Sequence, residues 1–154
     1  MANIVASRVF NYWRFYWEAD TSASLQDPRV TLITGLYVFF RGGGASLLAS
    51  IDWARQTVIC FNYEDFRERS PFPDFADALR EEPDGVLKCM GLSLCLLRAD
   101  LEPDAPPHRI TARIQAVTPL TSLRDIKSSS VGKYGMFDSI LYDCFFHIYC
   151  MHYL

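Results

Sequence analysis

Apolar residues recur at helical spacing in several stretches of the chain and alternate with polar ones in one. Asp27-Pro28 places a capping carboxylate before a proline, and Val30, Ile33, Leu36, Tyr37 and Phe40 then follow one face of a helix that Gly42-Gly43-Gly44 ends. Ala45 to Ala54 is expected to form a further short helix, and the β-rich run from Thr57 to Tyr63 a strand. Asp74 opens a short helix carrying Phe75, Ala78 and Leu79. Pro83-Asp84 opens another with Val86, Leu87, Met90, Leu94 and Leu97. From Cys89 to Leu97 that last helix is apolar nearly all round, the mark of a helix at the centre of a core.

Glu102 to Pro107 cannot continue a helix and reads as a linker that divides the chain. Beyond it, Ile110, Ala112, Ile114 and Ala116 alternate with Thr111, Arg113 and Gln115, the period of a strand with one buried face. Such a strand needs partners, and no alternating run after Lys133 supplies one, so a second, unfinished unit is expected there. At the start, residues 9–17 are too aromatic to be a solvated leader and are expected to be buried as an anchor. Arg8, Asn11 and Arg14 interrupt what a signal peptide would keep apolar.

With 154 residues, half of them hydrophobic and 21% charged, the chain is long enough for one domain with its own core but too short to add a nucleotide-hydrolysing motor. A net charge of -3 creates no global attraction for nucleic acid. The distribution changes that picture: from Glu64 to Asp84 there are eight acidic and three basic residues. From His108 to Tyr134 five basic residues face only Asp125. Any nucleic-acid surface is expected in the later stretch, with Arg113, Arg124, Lys127 and Lys133 as its phosphate-contact candidates; a solvated strand edge and turn explain the same charges equally well.

Catalytic constellations are not found. Gly42-Gly43-Gly44 is followed by Ala45-Ser46 without lysine, and Gly132-Lys133 lacks the earlier glycine and the hydroxyl residue of a phosphate-binding loop. Cys144, His147, Cys150 and His152 are zinc-type ligands crowded into nine residues, a spacing that argues against one tetrahedral site, so no metal and no cofactor is expected. The five cysteines form no Cys-x-x-Cys pair and sit mostly in apolar runs, which predicts buried structural thiols in a reducing, intracellular setting. His108 beside the linker and Cys89 and Cys95 on the apolar helix do not read as a thiol-hydrolase pair, and the adjacent carboxylates Glu64-Asp65 and Glu81-Glu82 read as charged surface. Asp138 and Asp143 leave too short an apolar run for a membrane span.

Two segments carry a family resemblance. Residues 74–97 resemble the end of the helical N-terminal subdomain of the minichromosome-maintenance (MCM) DNA helicases, with Pro83, Leu87, Cys89, Met90 and Gly91 on its motif, in a form most like the family's eighth member. Residues 110–133 are similar to that family's entry into an OB-type barrel, through Arg113-Ile114, Leu120, Leu123-Arg124, Ile126 and Gly132-Lys133. Upstream, Trp13 to Glu18 is similar to the family's aromatic opening, Asp27 to Phe40 to its first helix, and Thr57 to Phe66 to the strand before its acidic turn.

The resemblance implies an α+β chain: a mainly helical subdomain with a short sheet over residues 9–107, the first part of a truncated OB-type barrel over 108–134, and a non-family tail over 135–154. The tail is expected to come from a truncated gene model or splice form. The implied function is that of a non-catalytic helicase fragment in the nucleus, not an enzyme, with a role in DNA binding or hexamer scaffolding during replication or recombination repair. Other MCM subunits are then its partners, with DNA bound weakly in isolation and no membrane. The alternative is a free-standing interaction module that modulates complete subunits through its apolar helix and an unpaired strand.

Overall fold

A computed structural model describes residues 2–115, 121–122 and 137–138. The fold is α+β and mainly helical. In chain order come α1 (Ala2–Tyr12), a 3-10 turn (Trp13–Phe15), α2 (Pro28–Arg41), a second 3-10 turn (Ala45–Leu48), β1 (Val58–Asn62), α3 (Tyr63–Arg69), α4 (Phe75–Glu81), α5 (Pro83–Leu101) and β2 (Thr111–Gln115). Thr121–Ser122 also pairs in parallel with Phe137–Asp138.

The periodic segments fold as their patterns predict. Asp27 caps α2 by accepting the Arg29 backbone N–H at 2.8 Å, Pro28 fills the first turn, and Val30, Ile33, Leu36, Tyr37 and Phe40 are all buried. α5 is the hub: α1, α2, α4 and β2 all pack on it, and residues 89–98 are buried on every side. The aromatic anchor is seated too, with Val9, Trp13 and Tyr16 buried in the same core.

Three expectations need correction. Residues 45–54 do not make a helix beyond Leu48; the Asp52 carboxylate accepts the Ala54 N–H at 3.2 Å, a local turn that competes with helical bonding. The strand expected to run to Tyr63 ends at Asn62, whose side chain accepts the N–H groups of Glu64 and Asp65 and thereby caps α3. That helix was not anticipated, although its acidic first turn and basic last turn suit the helix dipole.

The third concerns the linker. Helix α5 does end at Leu101, but β2 does not wait for partners downstream: it pairs in parallel with β1, Cys60 beside Arg113 and Phe61 beside Ile114. The crossover between the two strands is α3, α4 and α5, as parallel pairing requires. Ile110, Ala112 and Ile114 join the one hydrophobic cluster that Phe40, Phe61, Phe66 and α5 build, so 102–107 is a connection within that core. Arg124, Lys127, Lys133 and nearly all of the tail lie outside the described residues.

Candidate nucleic-acid interface

β2 is aimed by its first residues. The Tyr16 hydroxyl donates to the Ile110 carbonyl at 2.6 Å, receives the Ile110 N–H at 3.1 Å, and lies 3.1 Å from the Cys95 sulfur. One phenol thus satisfies both backbone groups of a fully buried residue, where an unpaired group would be costly. Gly91 of α5 makes this approach feasible, because a Cβ there would stand 2.5 Å from the Ile110 oxygen and 2.8 Å from the Tyr16 ring. Seven residues further along α5, Arg98, itself 8% exposed, holds the incoming connection: it donates to Glu102 at 3.1 Å and to the Pro106 carbonyl at 3.4 Å, and bonds the His108 ring.

With Ile110 fixed, alternation does the rest. Ala112 and Ile114 point into the core, and Arg113 stands on the outer face of the sheet. Its neighbours on that face are Thr111, Gln115 and, across the strand pair, Val58, Cys60 and Asn62. None is a carboxylate, and Arg113 makes no ion pair with a described residue. The Arg109 guanidinium lies 5.2 Å from the centre of the Tyr16 ring, at the entry to the same strand. Of the four phosphate-contact candidates, only Arg113 falls within the described residues, and it is exposed and available.

The two buried thiols among the described residues are held in their neutral form. Burial pushes the Cys89 thiol up to about 12 and raises that of Cys95 as well, so both are held as neutral thiols at physiological pH. Cys95 donates to the His108 backbone carbonyl at 3.3 Å, while the His108 ring bonds Arg98. Cys60 departs from the buried-thiol expectation: it is exposed on β1. Glu64 pairs with Arg67 at 2.6 Å on α3. Among the described residues no group of three potential ligands could hold a metal ion, and no helix is long and apolar enough to cross a membrane.

Other charged groups tie the core together. Asp100 on α5 accepts from Arg8 of α1 at 2.7 Å and from the Tyr37 hydroxyl of α2. Burial alone would raise its pKa, but Tyr37, Arg8 and Arg41 outweigh burial and hold the carboxyl below the usual range. The Arg29 guanidinium bonds Asp20 and Asp27, each at 2.6 Å, while resting 4.6 and 5.1 Å from the ring centres of Trp13 and Trp17. Sequence reading missed the Tyr16–Ile110–Gly91 node; its only trace was a glycine inside an otherwise apolar helix. No model of a known protein family and no curated protein matches the chain.

Proposed function

We propose that this chain is a non-catalytic N-terminal fragment of an MCM-type helicase subunit, a helical subdomain leading into the start of an OB-type barrel. Its role is scaffolding and DNA contact among nuclear replication or recombination proteins, with other MCM subunits as partners. The observation that carries the reading is the contact of Gly91 with Ile110. The two segments that resemble the family, one ending in the helix with Cys89-Met90-Gly91 and the other beginning at Ile110, meet at that point with no room for a side chain. Two matching segments that are also packing partners form one structural unit. Arg113, carried by the second segment, is turned outward where a phosphate could reach it.

The test is DNA binding by the full chain and by Arg113→Ala at about 50 and 200 mM salt, together with co-elution from a sizing column with complete MCM subunits. Binding that weakens with salt, and a salt slope about one unit shallower in Arg113→Ala, supports DNA contact through β2. Absence of both DNA binding and co-elution would sink the proposal. The alternative interaction module was to dock through its apolar helix and free strand; residues 89–98 of α5 are covered, while β2 pairs only with β1 among the described residues, which leaves its other edge as the surface on which that reading rests.

A further inference from the structure

Beside the sheet face, and sharing the outward Cys60 and Asn62 with it, a depression of about 280 Å3 opens between the 3-10 turn at 45–48, the strand β1 and helix α3, lined also by Ser46, Leu47, Phe61, Asp65 and Arg69. Ser46 is exposed, and the Arg69 guanidinium donates to its hydroxyl oxygen. Arg69 makes no ion pair with a described carboxylate, so its remaining donors are available. The Asn62 Oδ1 is engaged in capping α3, which leaves the amide N–H2 of that side chain to donate. One carboxylate, Asp65, stands in the same wall and opposes a second anion.

Ser46 lies in a local surface turn whose entry is anchored at Gly44, buried and donating its N–H to the Phe39 carbonyl at 2.9 Å. It follows Gly42-Gly43-Gly44, and a side chain at Gly43 would meet nothing within 4 Å. Only a single 3-10 turn holds the serine, a short element with weak hydrogen-bond geometry.

We propose that Ser46 is a phosphorylation site whose phosphate is held by Arg69, tying the end of α3 to the glycine turn. The co-reactants are a nucleoside triphosphate and a protein serine kinase. The Ser46 Oγ–P bond forms as the bond from the γ-phosphorus to the bridging oxygen breaks, the nucleoside diphosphate leaves with that electron pair, and the hydroxyl proton passes to the kinase's base. A phosphoserine dianion within reach of a fork of guanidinium donors forms charge-assisted bonds stronger than the neutral contact it replaces. The inference does not depend on the helicase reading, since the contact between Ser46 and Arg69 involves neither Arg113 nor a helicase subunit.

The experiment uses the full chain with phosphoserine encoded at position 46, compared with the unmodified chain and with the phosphorylated chain carrying Arg69→Gln or Asp65→Asn. Phosphorus NMR against pH should give a phosphate titration midpoint below that of the same phosphopeptide in isolation. The midpoint should return toward the peptide value in Arg69→Gln and fall further in Asp65→Asn. Amide exchange over residues 64–69 should slow about tenfold on phosphorylation, and not in Arg69→Gln. Unmodified chain incubated with eukaryotic cell extract and nucleoside triphosphate should acquire phosphate on the peptide containing Ser46. A peptide-like midpoint insensitive to both substitutions, or a Ser46 peptide that stays unmodified in the extract, overturns the proposal.

Discussion

Replacing Gly91 by alanine separates a packing requirement from helix propensity, because the two effects have opposite signs. In an exposed helix interior the change would stabilise by about 1 kcal/mol, since alanine is the better helix former. Here the new methyl would stand 2.5 Å from the Ile110 carbonyl oxygen and 2.8 to 3.0 Å from the Tyr16 ring edge and hydroxyl. Neither neighbour can yield alone, because the Tyr16 hydroxyl binds both backbone groups of Ile110. Relief requires β2 to lift from α5: overpacking costs about 1–3 kcal/mol, and a weakened buried hydrogen bond about 1–3 kcal/mol more. After subtracting the propensity gain, the net destabilisation is about 1–5 kcal/mol. Gly85 is the internal control on the same helix, since a Cβ there meets only a Glu82 carboxylate oxygen at 3.8 Å. Gly85→Ala should be neutral or stabilising by up to about 1 kcal/mol. Urea unfolding followed by tryptophan fluorescence measures both. Equal and favourable effects at the two positions would refute the packing argument.

Tyr16→Phe keeps the ring but strands both backbone groups of Ile110, and should lower stability by about 2–4 kcal/mol in the same assay; a loss below about 0.5 kcal/mol would mean that another group takes over. Asp100 has a folded pKa below its unfolded value near 3.9, so its contribution is present above that pH and is lost as pH falls through the folded value. Asp100→Asn should therefore flatten the acid side of the stability profile below about pH 4, and an unchanged acid slope would contradict the assignment. Among Cys60, Cys89 and Cys95, a thiol-alkylating reagent at pH 8 should label Cys60 in the native chain and the other two only after unfolding, as mapped by peptide mass. Labelling of Cys89 at the rate of Cys60 would show that α5 is less protected than its packing requires.

The legible parts of this chain were those governed by local periodicity or local capping. Asp27-Pro28 before a regular apolar stripe, and an apolar run from Cys89 to Leu97 too continuous for one face, led to α2 and α5 with nearly correct bounds. The alternation around Arg113 correctly separated its outward position from the inward Ala112 and Ile114. Pairing was the part that failed, since the partner of β2 lies some fifty residues upstream and parallel strands leave no turn signal between them. The capping Asn62 was hidden because a strand pattern ran up to it without a break. The Tyr16 hydroxyl, Gly91 and Ile110 come from three distant places and have no sequence spacing that could announce them.

Among the described residues, ion pairing explains why few cations remain for nucleic acid. Arg8, Arg29, Arg67, Arg80, Lys88 and Arg98 each face a carboxylate, and the Arg8–Asp100 pair joins α1 to α5. A cation whose field is already met by a fixed carboxylate gains little from a phosphate, because binding then exchanges one partner for another instead of releasing bound counterions. Arg113 escapes this by its geometry: the outer positions of β1 and β2 are Val58, Cys60, Asn62, Thr111 and Gln115, all uncharged. Arg109 keeps its guanidinium edge open while one face rests on Tyr16. Both depend on the Tyr16–Ile110 bond for their placement, so the packing node that fixes β2 on α5 also sets where positive charge is presented.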